Sequence, residues 1–158
     1  MRRLWPLLAL CYLPAGHAQC SIANPSLMTS GGAIVSSNTI RFSKDVRMYR
    51  YVFSVKCGSA TRYRLGLQGT DPALPPGTLL LSNPRGDQVV MRARLKSVGG
   101  SEINADLAAL PGGIYEGTVA AEQSQEVVME LRPTDVKPRG PQVSGGDYQG
   151  GGTIRLVY

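Results

Sequence analysis

Histidine and tryptophan are nearly absent from this chain, with one of each, His17 and Trp5. Both lie within the first 18 residues. Residues 19–158 therefore have no histidine with which to build a Ser-His-Asp or Cys-His mechanism. Cysteine is also scarce. There are three in all, Cys11, Cys20 and Cys57, too few for a four-ligand structural zinc site once the leader is set aside. No apolar run is long enough to cross a bilayer, and no heptad, collagen or solenoid period is present. Gly150-Gly151-Gly152 lacks the Lys-Ser or Lys-Thr that completes a phosphate-binding loop. The carboxylates do not cluster. Glu116 with Glu122, or Glu126 with Glu130, come nearest to the paired acids of a glycosidase. Glu126 and Glu130 fall on the outward side of their strand, where solvated charge is expected. The sequence thus predicts a protein that is not an enzyme and that needs no metal or cofactor.

Glycine and proline are plentiful, at 19 and 11 of the 158 residues. They are spread between apolar runs, which disfavours a helical bundle and suits an all-β chain. The first residues read as a secretory leader. Arg2 and Arg3 open it, Leu4 to Leu13 form a short apolar stretch, and Gly16-His17-Ala18 supplies small residues for cleavage after Ala18. Residues 1–18 are the expected signal peptide and residues 19–158 a single domain. In an exported chain, the two cysteines left after cleavage are expected to form one disulfide, Cys20 to Cys57.

The strands announce themselves by a period of two. Tyr49, Tyr51, Phe53, Val55 and Cys57 alternate with polar or smaller residues. Tyr63, Leu65 and Leu67 do so against Arg62, Arg64 and Gln68. Val89, Met91, Ala93 and Leu95 follow, then Val127, Met129 and Leu131. Ile154, Leu156 and Tyr158 close the chain as a final strand with an apolar inner face. Gly58-Ser59-Ala60 suits a hairpin between the first two runs. Shorter strands are expected near 40–43, 78–82 and 115–120. Around Glu102 to Leu110 the apolar residues Ile103, Leu107 and Leu110 take helical spacing, so a short helix or turn is expected there, ended by Pro111-Gly112-Gly113. Seven or so half-buried strands with one disulfide predict an antiparallel immunoglobulin-like β-sandwich.

Arg62, Arg64, Arg92, Arg94 and Lys96 could form a basic stripe for a polyanion. They occupy outward positions with no aromatics between them, and they read better as solvated sheet faces. No nucleic-acid partner is expected. Arg85-Gly86-Asp87 is an integrin-type tripeptide, but it reads as a turn leading into the strand at Val89.

The tail carries the most information. A terminal strand ending on an aromatic needs a neighbour to hold it. If none is available, one edge of the sandwich stays open, and a strand from another chain can fill it. Here the sequence resembles the subunits of chaperone-usher pili. Tyr49-Arg50-Tyr51-Val52-Phe53-Ser54-Val55 is similar to a strand of colonisation-factor-type fimbrial subunits. Ser124-Gln125-Glu126-Val127-Val128-Met129-Glu130-Leu131 resembles their Ser-Gln-Glu-Leu-Val-Ile strand. Gly146-Asp147-Tyr148-Gln149-Gly150 resembles the turn before their last strand. Gly145 and Tyr158 flank the final strand as in the wider pilin signature, and spore-coat-U-type pilins share the ending and the cysteine pair. The similarity covers residues 49–158.

The resemblance implies an incomplete immunoglobulin-like sandwich, exported through the periplasm to a surface fimbria that serves cell adhesion. It implies a periplasmic pilus chaperone, an outer-membrane usher and neighbouring pilus subunits as partners. It implies a chaperone and donor-strand groove at Gly145, Tyr148, Ile154, Leu156 and Tyr158. One departure stands out. Cleavage after Ala18 leaves only Gln19 ahead of Cys20, and Asn24-Pro25 interrupts the pattern of the following stretch. The chain is thus expected to accept a donor strand but not to give one, as in a tip or minor subunit. The competing expectation is a self-sufficient secreted sandwich that binds a glycan or a surface protein.

Overall fold

The computed structural model describes residues 19–29, 34–35, 39–42, 48–137 and 146–158. The expected signal peptide and Gly145 lie outside the described residues. Twelve strands are present among the described residues: β1 (Cys20–Thr29), β2 (Ile34–Val35), β3 (Thr39–Phe42), β4 (Tyr49–Cys57), β5 (Thr61–Gly69) and β6 (Thr78–Ser82) in the first half. The second half adds β7 (Gln88–Val98), β8 (Ser101–Asp106), β9 (Ile114–Val119), β10 (Ser124–Lys137), β11 (Gly146–Gln149) and β12 (Gly152–Val157). No α-helix occurs among the described residues; Leu107–Ala109 and Pro111–Gly113 form single 3-10 turns.

All strand pairs are antiparallel. The large sheet runs β2-β1-β4-β10-β7-β6-β11-β3, and β8 pairs with the half of β7 that β6 leaves free. The small sheet runs β12-β5-β9. The order β1-β4-β10-β7 in one sheet, with β5 beside β12 in the other, is that of an immunoglobulin-like sandwich, A-B-E-D facing C-F; β9, which falls between β7 and β10 in the chain, takes the other side of β5. Alternation decides which residues fill the space between. Phe53 and Val55 of β4, Tyr63, Leu65 and Leu67 of β5, Val89, Met91, Ala93 and Leu95 of β7, and Val127, Met129 and Leu131 of β10 are all buried in one cluster. Each large side chain removed from water in this way contributes about 1.5–3 kcal/mol before entropy is counted. Cys20 and Cys57 are bonded and sit directly opposite each other in the β1–β4 ladder.

Three expectations are corrected. Gly58-Ser59-Ala60 does not close a hairpin. Both edges of β4 are occupied, by β1 and by β10, so β5 must join the other sheet. The short connection carries the chain across the end of the sandwich, tied by the Gly58 N–H donating to the Gln19 carbonyl at 3.1 Å. The stretch around Glu102 is a strand, not a helix. Only Leu107–Ala109 turns, capped by the Asp106 carboxylate, which accepts the Ala108 N–H at 3.0 Å. Pairing of Ser101–Asp106 with β7 outweighs the helix preference of its one alanine, Ala105.

The third correction concerns Glu130. It lies on the outward side of β10 as alternation demands, yet it is only 3% exposed. Arg132 donates to it at 2.8 Å, and Arg50 on β4 lies 3.8 Å away. A carboxylate shielded to this extent needs such partners, because an unpaired buried charge is costly.

Burial also sets the alkaline limit of the fold. The Tyr49 and Tyr63 phenols are both pushed up to about 12, mainly because burial disfavours the phenolate. The Tyr63 hydroxyl donates to Gln125 Oε1 at 2.7 Å. An unfolded tyrosine ionises near 10, so these two contribute stability that is fully present below that pH. It is lost as pH climbs toward 12, because the unfolded chain releases its protons first. Absorbance at 295 nm during an alkaline titration is expected to show two phenols ionising late and together with unfolding. Ionisation of all tyrosines near pH 10 in a folded chain would contradict this.

Candidate functional site

The end of the chain crosses from the large sheet to the small one through Gly150 and Gly151. Tyr148 is buried in β11, opposite Ile40 of β3. At Gly150 a Cβ would run into the Leu80 carbonyl oxygen and the Leu81 side chain. Only glycine lets the backbone approach this closely at the corner. The Thr70 N–H donates to the Gly151 carbonyl at 3.2 Å and fixes the start of β12 against β5.

β12 then pairs with β5 alone. Ile154 stands opposite Leu67 and Leu156 opposite Leu65. Cross-strand neighbours of this kind share a face of the sheet, yet their burial differs. Leu65 and Leu67 are buried, whereas Ile154 and Leu156 are half-buried. On the outer side of β12 no strand pairs with it among the described residues. β1, from the large sheet, passes near this edge, and Ile22 of β1 and Tyr51 of β4 are half-buried against the same core. In an immunoglobulin-like sandwich the position beyond this strand belongs to strand G. The result is an apolar strip at an unpaired sheet edge, with backbone donors and acceptors beside it.

The residues expected to line a groove are thus distributed. Ile154 and Leu156 lie on the strip. Tyr148 belongs to the interior of the other sheet. Tyr158, expected to face inward, is 55% exposed, because the β12–β5 pairing stops at Val157 opposite Arg64. Ile22 and Tyr51 were not singled out as edge residues from sequence. Alternation marks Tyr51 as inward, but only the strand order shows that β1, which carries Ile22, passes near β12.

The other candidates resolve by their partners. Arg62 and Arg64 lie on the small sheet, while Arg92, Arg94 and Lys96 lie on the large one. Ion pairs join Arg64 to Glu116 at 3.1 Å, Arg92 to Asp106 at 3.0 Å and Lys96 to Glu102 at 2.7 Å. The Glu102 carboxyl is held below its usual range, chiefly by its hydrogen bond from Lys96. Glu122 is engaged elsewhere, with Lys56 at 3.7 Å. Asp87 of the Arg85-Gly86-Asp87 turn is 4% exposed. The Asn83 amide donates to its carboxylate at 3.1 Å, and Asn83 Oδ1 accepts the Asp87 N–H at 2.9 Å. The tripeptide is closed on itself and does not present its acid. No three His, Cys, Asp or Glu side chains gather as metal ligands among the described residues.

Fold and edge together define an antiparallel, disulfide-bonded β-sandwich of immunoglobulin-like order. No family model matches the sequence, and no curated protein matches it. Among solved structures, the chain is similar to one in a crystal structure of a chaperone–tip adhesion subunit pre-assembly complex. That complex comes from the archaic chaperone-usher Csu pili of Acinetobacter baumannii. The identity is 13% and the TM-score 0.47. The match covers 89% of this chain and 40% of that one, so this chain spans less than half of that chain's length.

Proposed function

We propose that this chain is a structural subunit of a surface fimbria, assembled by donor-strand complementation and taking part in cell adhesion, with no enzymatic activity of its own. The observation that carries this reading is the contrast across one strand pair. Leu65 and Leu67 are buried, while Ile154 and Leu156, facing them on the same side of the sheet, are only half-buried. A strand added along β12 would finish their burial and satisfy the backbone at the same time. The sequence resemblance to pilus subunits points to the same partners. A periplasmic chaperone would supply that strand first, and a neighbouring subunit would replace it at the outer-membrane usher. A tip or minor position is part of this proposal, since Asn24-Pro25 interrupts the alternation that a donor strand would need.

The test is to secrete the chain into a Gram-negative periplasm with and without a cognate pilus chaperone. Recovery only as a one-to-one complex with the chaperone is the expected result. A chaperone-independent monomer that unfolds in one cooperative step would replace this reading with that of a self-sufficient binding module.

A further inference from the structure

The three large apolar side chains that stand exposed among the described residues all belong to the small sheet and its end: Ile114 at 40%, Val157 at 51% and Tyr158. On the outward face of that sheet, Arg155, Gly66 and Ile114 form one cross-strand row. Val157, Arg64 and Glu116 form the next. Gly66 has no side chain to fill the centre of its row. A Cβ there would lie 3.3 Å from the Gly113 carbonyl oxygen. A hollow of about 330 Å³ opens at this point, between Arg64, Arg155, Ile114 and Val157, and Pro76 with the Gly112–Gly113 turn completes its wall.

The arginines at its rim are held in place by neighbours. Arg155 Nη1 donates to Gln68 Oε1 at 3.2 Å, and Arg64 Nε donates to Glu116 Oε1 at 3.1 Å. A guanidinium has five N–H donors in a rigid fork, so both arginines keep donors for a further acceptor. Two cations against one carboxylate leave the rim positive. Aliphatic walls with a few fixed polar groups are the usual make-up of a small-ligand site.

We propose that this hollow binds a carboxylated sugar ring, with the carboxylate taken by Arg64 and Arg155 and a C–H face of the ring resting on Ile114 and Val157. The positive rim selects an anion. The wall formed by Pro76 and Gly112–Gly113 favours a compact ring over an extended acidic peptide, which would need a channel open along the strands. The site lies on the outward face of the small sheet, apart from the inward strip of Ile154 and Leu156. Its failure would leave the groove reading untouched, and the reverse also holds.

The test uses the full chain in its soluble form, alone or in complex. The probes are a galacturonate tetramer, a hyaluronan hexasaccharide and sialyllactose. Methyl-esterified galacturonate tetramer and hexaglutamate serve as controls. At least one acidic saccharide is expected to bind, more weakly as salt rises. Arg155→Gln and Arg64→Gln are expected to weaken that binding by about tenfold each, as the loss of a charge-assisted contact would. Neither variant should change the melting temperature, since both side chains are on the surface. The methyl ester and hexaglutamate should bind at least that much more weakly. The proposal is overturned if none of the three acidic saccharides binds at millimolar concentration. It is also overturned if hexaglutamate binds equally well, or if Arg155→Gln leaves binding unchanged.

Discussion

Replacing Cys57 by serine is expected to lower the unfolding free energy by about 2–5 kcal/mol, the usual range for removing a native disulfide from a small domain. The bond spans 37 residues of sequence, so cutting it frees a long loop in the unfolded chain. Two local effects add to this. Cys57 is fully buried, and a serine there would place a hydroxyl in an apolar site. The β1–β4 ladder that the bond clamps is already irregular, with a register shift between Ala23 and Ser26, where Asn24 and Pro25 sit. Proline has no N–H to give to the ladder. Without the bond, β1 would be held by the remaining backbone pairs alone, and its approach to β12 would loosen. Denaturant unfolding of the two forms, in a background lacking residues 1–18, measures the difference. An unchanged midpoint would show that the bond does not form in the folded protein.

Much of this architecture was legible in the sequence because burial between two sheets imposes a period of two. Every inward residue read from β5, β7 and β10 is buried. The disulfide followed from the cysteine count and the expected export. What alternation cannot convey is which strand lies beside which. Tyr49–Cys57 and Thr61–Gly69 have matching apolar faces whether they pair edge to edge or face each other across the core, so a hairpin and a crossing look alike. The same blindness hid the burial of Glu130. Its outward position is written in the sequence, but the Arg50 and Arg132 side chains that cover it come together only through the register of β4 with β10 and along β10 itself. Residues 146–149 read as a turn, yet they form β11, because the edge of β6 and the strand β3 offer partners that lie far away in sequence. The open edge was inferred from the tail, and its inward residues Ile154 and Leu156 were legible. Tyr158 was not, since a strand's period does not say where its pairing stops.

The groove reading yields a contrast between two leucines that face each other. Leu65→Ala removes a fully buried side chain, and it is expected to cost about 2–5 kcal/mol whether or not a strand is bound at the edge. Leu156→Ala, its partner across the ladder, is expected to cost only about 1 kcal/mol in the uncomplemented chain, because a half-buried leucine has realised about half of its 1.5–3 kcal/mol of burial. Once a donor strand covers the edge, Leu156 becomes as buried as Leu65, and the same truncation should cost about 2–5 kcal/mol there. The difference between those two costs is the part of the binding energy that Leu156 contributes. Leu156→Asp sharpens the test, since a carboxylate tolerated at an open edge cannot be buried under a strand without a partner. Unfolding of the chain refolded from denaturant, with and without an added donor-strand peptide or chaperone, reads both effects. If Leu156→Ala costs the same in the two states and Leu156→Asp still forms the complex, then the edge of β12 is not where the additional strand sits.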